Sequence, residues 1–136
     1  GEPPVIFEDG YQQRDFVSVH DIARACRLAL EMPAAAGKAI NVGSGRRYSI
    51  RSVVQRMASV LGKEKLRPEI TGKYRVGDIR HCFADITLAG QTLGYKPQVT
   101  LEEGLVSLAA WLEKQSLRSH VPDARAELAM RGLMVG

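Results

Sequence analysis

The chain has 136 residues, 45% hydrophobic and 25% charged, with a formal net charge of +4, the composition of one globular domain with a core of its own. Its apolar runs fall far short of the roughly 20 residues a membrane span needs, no basic-then-apolar leader opens it, and Cys26 and Cys82 form no Cys-x-x-Cys, which argues against a disulfide framework or a zinc ribbon. The expectation is a reduced, cytoplasmic protein with no membrane partner.

Along the chain, Val5-Ile6-Phe7 is a short apolar run, Asp9-Gly10 a turn signal, and Asp15-Phe16-Val17-Ser18-Val19 alternates, so the opening predicts a hairpin with a loop longer than two residues. Asp21 is placed to open a helix with the apolar stripe Ile22, Ala25, Cys26, Leu28, Ala29 and Met32, ended by Pro33. A short strand is expected over 38–42, turning out through Gly43-Ser44-Gly45. Ser49 can cap a helix whose buried face is Ile50, Val53, Val54, Met57, Ala58 and Leu61, with Gly62 closing it. Residues 63–80 read as an irregular, basic, Gly- and Pro-punctuated loop of the kind that carries function. Asp85 can cap a short helix through Leu93, stopped by Gly94. Thr100-Leu101-Glu102-Glu103 is a capping box, and its helix is expected to bury Leu101, Leu105, Leu108, Ala109 and Leu112, with Trp111 beside them. Pro122-Asp123 can start a last helix ending at Gly132. At least four helices with about three short strands give an α/β class, a small mixed α/β portion; the strands are too few for a doubly wound nucleotide fold.

Residues 46–80 hold ten Lys/Arg against three acids. Such a patch attracts nucleic acid, phosphate or a nucleotide, or is simply a solvated face. Aromatics are 6% of the chain, and Tyr48 and Tyr74 are the ones inside the basic stretch, a poor stacking platform for nucleic acid. Gly43-Ser44-Gly45 lacks the third glycine of a dinucleotide fingerprint, since Tyr48 stands in its place. Ser44 is not in a nucleophile elbow, because Asn41 replaces the first glycine. His20, His81 and His120 are scattered, so no metal site is expected. No independent catalytic constellation is visible.

Two Arg-plus-Asp segments stand out, Arg14-Asp15-Phe16 and Arg75-Val76-Gly77-Asp78-Ile79-Arg80. Guanidinium groups match phosphate oxygens bidentately and keep their charge, so two converging arginines suit a pyrophosphate. An aspartate nearby can accept hydrogen bonds from sugar hydroxyls. Surface Arg–Asp pairs alone are common and contribute little.

Six fragments in order carry a resemblance: Pro4-Val5-Ile6-Phe7 with Asp9-Gly10, Gln13-Arg14-Asp15-Phe16-Val17, Val19-His20-Asp21-Ile22-Ala23, Asn41-Val42-Gly43-Ser44-Gly45, Arg75 through Asp85, and Leu93-Gly94-Tyr95 ahead of the Leu101-Glu102-Glu103-Gly104-Leu105 helix. Over residues 3–115 the chain resembles the C-terminal, substrate-binding part of extended short-chain dehydrogenase/reductases, the NAD-dependent epimerase/dehydratase family acting on nucleotide sugars. Within it, the string from Gly77 to Asp85 is similar to bacterial sugar-nucleotide 4-epimerases of the UDP-glucose or dTDP-L-rhamnose type.

The resemblance implies that Arg14 and Arg75 hold the diphosphate of a UDP- or dTDP-sugar and that Asp78 takes the ribose hydroxyls. It sets Cys82 where 4-epimerases face the hexose, and a small side chain there resembles enzymes accepting bulkier 2-acetamido sugars; a buried small apolar cysteine is the alternative. Residue-level alternatives are an ion pair of Arg14 with Asp15 or Glu8, a loop salt bridge for Arg75 and Asp78, and helix caps for Asp21 and Asp85. The chain departs from the family at Ser18, where many members carry His or Tyr. Family members bind NAD through an N-terminal Gly-x-x-Gly-x-x-Gly loop and catalyse with Tyr-x-x-x-Lys, whose lysine lowers the phenol's pKa. Neither occurs here: Tyr11, Tyr48, Tyr74 and Tyr95 are followed four residues on by Asp15, Ser52, Asp78 and Val99. The expectation is a substrate-binding fragment over 1–136 that binds no cofactor itself and is inactive alone. Its partners would be a nucleotide-diphosphate sugar, the N-terminal NAD-binding half of the same protein and, through exposed apolar surface, a second copy. A 4,6-dehydratase or decarboxylase of the same family shares the grip, and a basic nucleic-acid-binding or non-catalytic interaction module is the reading from other classes.

Overall fold

The computed structural model describes residues 3–115 and 121–136; His120 lies outside them. The opening segment does not fold back on itself. β1 (Val5–Ile6) pairs in parallel with β4 (Glu69–Ile70). β2 (Gln13–Arg14) is the middle of three strands, antiparallel to β3 (Tyr48–Ser49) and parallel to β6 (His81–Cys82). The expected hairpin fails because the loop between β1 and β2 closes on its own groups: Gln12 Nε2 donates to the Phe7 carbonyl at 2.9 Å, and the Tyr11 amide donates to Asp9 Oδ1 at 2.9 Å. With φ of +53° at Glu8 and +78° at Gly10, the chain reaches β2 with both edges open to remote partners. β5 (Tyr74–Arg75) pairs antiparallel with β7 (Met134–Val135).

Residues 15–19, expected as strand, are not one: 15–18 are irregular and a helix begins at Val19. α1 (Val19–Glu31) begins at Ser18, whose hydroxyl accepts from the His20 amide at 3.2 Å. Asp21 is therefore not the cap: it sits within the first turn of the helix, 2% exposed. Its carboxylate accepts from Arg24 Nη2 at 2.7 Å and from the amides of Gln98 and Val99 at 3.0 and 3.1 Å, joining α1 to the segment ahead of α4. The buried face of α1 is narrower than the stripe suggests, since Ala25 is buried, Ile22 and Leu28 are half-buried, and Cys26, Ala29 and Met32 are exposed.

The core is small: Ala25, Ala89, Leu93 and Tyr95, with Leu28, Ala35, Ile40, Val42 and Ile86 packed against it. Residues 38–42 form no strand, but Ile40 and Val42 still reach that core. The buried Tyr95 hydroxyl donates to the Gly43 carbonyl at 2.9 Å, and burial, with the Asp21 charge nearby, pushes its ionisation up.

Of the other caps read from the sequence, Ser49 and Thr100 hold the cap positions, whereas Asp85 lies one residue ahead of its helix's cap position, Ile86. Ser49 accepts from the Ser52 amide at the start of α2 (Ile50–Val60), whose apolar face is only half-buried. Asp85 accepts from Thr87 at the start of α3 (Thr87–Leu93), a bond that holds its carboxyl below the usual range, and Gly94 stops the helix at φ +64°. Thr100 and Glu103 form the reciprocal box of α4 (Leu101–Leu112). That helix buries Leu101, Leu105 and Ala109, but Leu108 and Trp111 are exposed. α5 (Val121–Met130) leads through Gly132 into β7.

Candidate functional site

Three of the four sequence-predicted site residues meet through side-chain contacts. Arg14 ends β2, and Arg75 ends β5. The Arg75 carbonyl accepts from the Asp78 amide at 3.1 Å across a four-residue turn, with Gly77 at φ +82° in its third position, the backbone that a type II turn demands of glycine. That turn brings Asp78 back beside Arg75. Arg75 Nη2 then donates to Asp78 Oδ2 at 2.7 Å, and Arg14 Nη2 donates to Asp78 Oδ1 at 2.9 Å. One carboxylate thus bridges two guanidiniums.

Each arginine is braced from a second side. Arg14 Nη1 donates to the Gln13 and Arg80 carbonyls at 2.9 and 3.0 Å. The Arg75 guanidinium lies over the Phe7 ring, 5.6 Å from its centroid, a cation–π contact. The Arg75 hydrogen bond, with the charges of Arg75 and Arg14, holds the Asp78 carboxyl below its ordinary range against the opposing effect of burial. The side chains of Arg14 and Asp78 are 26% exposed and that of Arg75 49%; the cluster is an open face from which donors can still reach a ligand.

Cys82, the fourth predicted residue, touches neither arginine by a hydrogen bond, but it is paired in register with Arg14 across the β2–β6 ladder. It is exposed, so the buried-cysteine alternative does not hold for this chain. The ion-pair alternative for Arg14 is also corrected: its partner is Asp78, not Asp15 or Glu8.

Asp15 has a different task. Its carboxylate accepts from the Ser44 amide at 2.9 Å, the Gly45 amide at 3.2 Å, the Ala84 amide at 3.4 Å and the Ser44 hydroxyl. It fastens the Gly43-Ser44-Gly45 turn to β2 and to the strand-to-helix link after β6. A side chain at position 43 would meet Asp15 Oδ2 at 2.5 Å and Ala84 Cβ at 2.8 Å, so the glycine is there for close approach. The amides that a glycine-rich turn could offer to a pyrophosphate are thus occupied by an internal carboxylate. These residues do not fit a dinucleotide cofactor.

Much of the basic stretch is likewise engaged within the fold. Arg80 forks onto Glu8 and Asp9 at 2.6 and 2.7 Å, holding the Asp9 carboxyl low together with the Tyr11 amide. Arg51 Nε donates to the Asp9 carbonyl at 2.6 Å and stacks over Tyr11. Arg56 pairs with Glu102 of α4. A groove lined by Glu8, Asp9, Arg51, Thr71, Tyr74 and Arg80 adjoins the cluster. The brace supplied by Phe7 and the fastening by Asp15 were not foreseen from spacing; the local signal for the first was an aromatic in the apolar run before Asp9-Gly10.

Comparison with known proteins gives this arrangement its context. A family profile described as GDP-mannose 4,6 dehydratase matches residues 1–108. The dTDP-L-rhamnose 4-epimerase of Burkholderia thailandensis is 34% identical over 110 residues, 81% of this chain and 30% of that protein. The crystal structure of UDP-glucose 4-epimerase from Thermotoga maritima with UDP-glucose superposes with a TM-score of 0.76 at 34% identity, covering 83% of this chain and 35% of that one. UDP-glucuronic acid 4-epimerase from Bacillus cereus in complex with NAD gives 0.71 at 29% identity, covering 83% and 35%. The chain therefore spans about a third of the length of the relatives it matches. By extent of match, by the order of its motifs and by its mixed α/β architecture, the chain belongs to the nucleotide-sugar epimerase/dehydratase family of extended short-chain dehydrogenase/reductases, whose C-terminal part it resembles.

Proposed function

We propose that this chain is the nucleotide-sugar-gripping part of an NAD-dependent 4-epimerase acting on a UDP- or dTDP-hexose, with the cofactor half supplied by the rest of a longer protein. The observation that carries the reading is the convergence of Arg14 and Arg75 on Asp78. Among the described residues, Arg14 uses three of its five N–H donors and Arg75 one, so both guanidiniums have donors left for diphosphate oxygens. Asp78 keeps lone pairs for ribose hydroxyls while its ionisation is secured by the same arginines. Cys82, beside Arg14 in the ladder, would face the sugar as a small wall.

The contribution of such a grip to the reaction is orientation. Anchoring the diphosphate and ribose converts encounter of the hexose with the reacting groups into an intramolecular event. On this reading hydride and proton chemistry belong to the cofactor half, which agrees with the occupation of the Ser44 and Gly45 amides by Asp15. An apolar groove lined by Phe16, Val17, Leu105, Leu108 and Trp111 supports a docking face for that half. Relatives above 30% identity that carry the name 4-epimerase favour epimerisation over the dehydration named by the family profile.

Two measurements test the proposal. Calorimetric titration of the 136-residue chain with UDP and dTDP should show one site that weakens when Arg14 or Arg75 is replaced by alanine; no binding overturns the grip. The chain incubated with NAD and UDP-glucose should give no UDP-galactose, and turnover would overturn the assignment of the chemistry to another segment.

A further inference from the structure

We infer that the C-terminal segment around β7 is a positioning strap for the nucleotide clamp, a device that lies outside the residues matched by the family profile. This inference rests on the nucleotide-sugar reading and assigns a role to residues 133–136 within the same site. The clamp loop hangs between two backbone attachments. On one side the Thr71 amide donates to the Ile6 carbonyl at 3.0 Å, the Glu8 amide to the Lys73 carbonyl at 2.8 Å and the Gly72 amide to the Glu8 carbonyl at 3.3 Å. On the other, Tyr74 pairs with Val135 and Arg75 with Met134, and the Val76 amide donates to the Leu133 carbonyl at 2.9 Å. The profile match ends at residue 108, so this second attachment lies outside the residues it matches.

The strap acts on a specific residue. Arg75 is the clamp arginine with the more exposed side chain, 49% against 26% for Arg14. Arg14 is anchored in the middle strand of a three-stranded ladder and by two carbonyls, whereas Arg75 sits in a two-stranded pairing with β7. β7 is its cross-strand partner, and its loop carries Gly77, which by itself leaves the backbone free. With the strap paired, Arg75 and Asp78 are held ready for a diphosphate; without it, ordering of residues 74–78 falls to the ligand and lowers its apparent affinity. Close packing of the end of the strap agrees: a Cβ at Gly136 would lie 3.0 Å from Lys73 Cα.

The test is the full chain carrying Val135→Pro. Alternation of bonded pairs in an antiparallel ladder makes Tyr74 and Val135 a bonded pair next but one to Val76 and Leu133, so proline removes a ladder donor. Val135 is 41% exposed and far in sequence from the Ala25, Ala89, Leu93 and Tyr95 core, and deletion of residues 133–136 serves as a second variant. Amide hydrogen exchange at Val76 should speed up at least tenfold, and UDP affinity should fall about tenfold. An unchanged exchange rate in both variants overturns the strap. Faster exchange with unaltered UDP affinity also overturns it, since pairing would then not position the clamp. Arg14→Ala separates the two layers: it should weaken UDP binding while leaving Val76 exchange as in the parent chain. If the parent chain binds no UDP while Val76 exchange responds to Val135→Pro, the nucleotide reading itself falls and takes the positioning role with it.

Discussion

The scaffold and the clamp of this molecule use the same residue type in opposite ways. In the scaffold, Asp21 and Asp15 are satisfied chiefly by backbone amides, those of Gln98 and Val99 in one case and of Ser44, Gly45 and Ala84 in the other. Those donors are fixed by the chain path, so the carboxylates act as permanent staples between remote segments. In the clamp, Asp78 is held mainly by two guanidiniums, with a smaller contribution from the Ile79 amide. Guanidiniums sit on flexible stems at an open face, and an incoming phosphate can share or take over their donors. A carboxylate bonded to amides builds the fold; one bonded to arginines leaves both itself and its partners available.

The contrast can be broken most forcefully at Asp21. Asp21→Ala removes a buried acceptor from two amides and Arg24 and should cost about 3 kcal/mol in urea unfolding; a loss under about 1 kcal/mol would mean that it is no staple. Next comes Gly43→Ala, whose new methyl must displace Asp15 or Ala84, with an expected loss of about 2 kcal/mol on the same measurement.

The scaffold was more legible than the site. Ser49, Gly94 and the Thr100–Glu103 box were readable because caps act over three or four residues. The strands were not, because two residues carry no periodicity and their partners are distant in sequence: Ile6 finds Ile70, and Arg14 finds Cys82. Local spacing makes Asp21 a cap candidate, yet Ser18 three residues earlier does that work, and the amide partners of Asp21 lie 77 and 78 residues away. In the clamp, the Arg75–Asp78 pair around Gly77 follows from a turn of four residues. The Arg14–Asp78 bond spans 64 residues, and nothing local in the chain dictates it; family resemblance pointed to Arg14, and the fold shows how β2 and β6 bring it there.

At the clamp, stability and binding should part company. Arg14→Ala and Arg75→Ala should each alter unfolding stability by less than about 1 kcal/mol, as exposed pairs do, while weakening UDP by about tenfold or more. The smallest expected effect is on pH. Because the folded pKa of Asp78 is depressed, its contribution is fully present above the ordinary carboxylate value of about 3.9 and is lost as pH falls through the lower, folded value. The stability gap between the parent chain and Asp78→Asn should therefore be largest near neutral pH and shrink below about pH 4; a gap unchanged at acid pH would detach Asp78 from its arginines.

The most direct measurement of the central claim is calorimetric titration of UDP into the chain and into the Arg14→Ala/Arg75→Ala double variant, with unfolding followed in parallel. A 1:1 site in the parent that vanishes in a double variant of nearly equal stability is the result expected of a diphosphate clasp. Equal affinity in both proteins, or no heat from the parent, would leave Arg14, Arg75 and Asp78 as surface ion pairs and contradict the account.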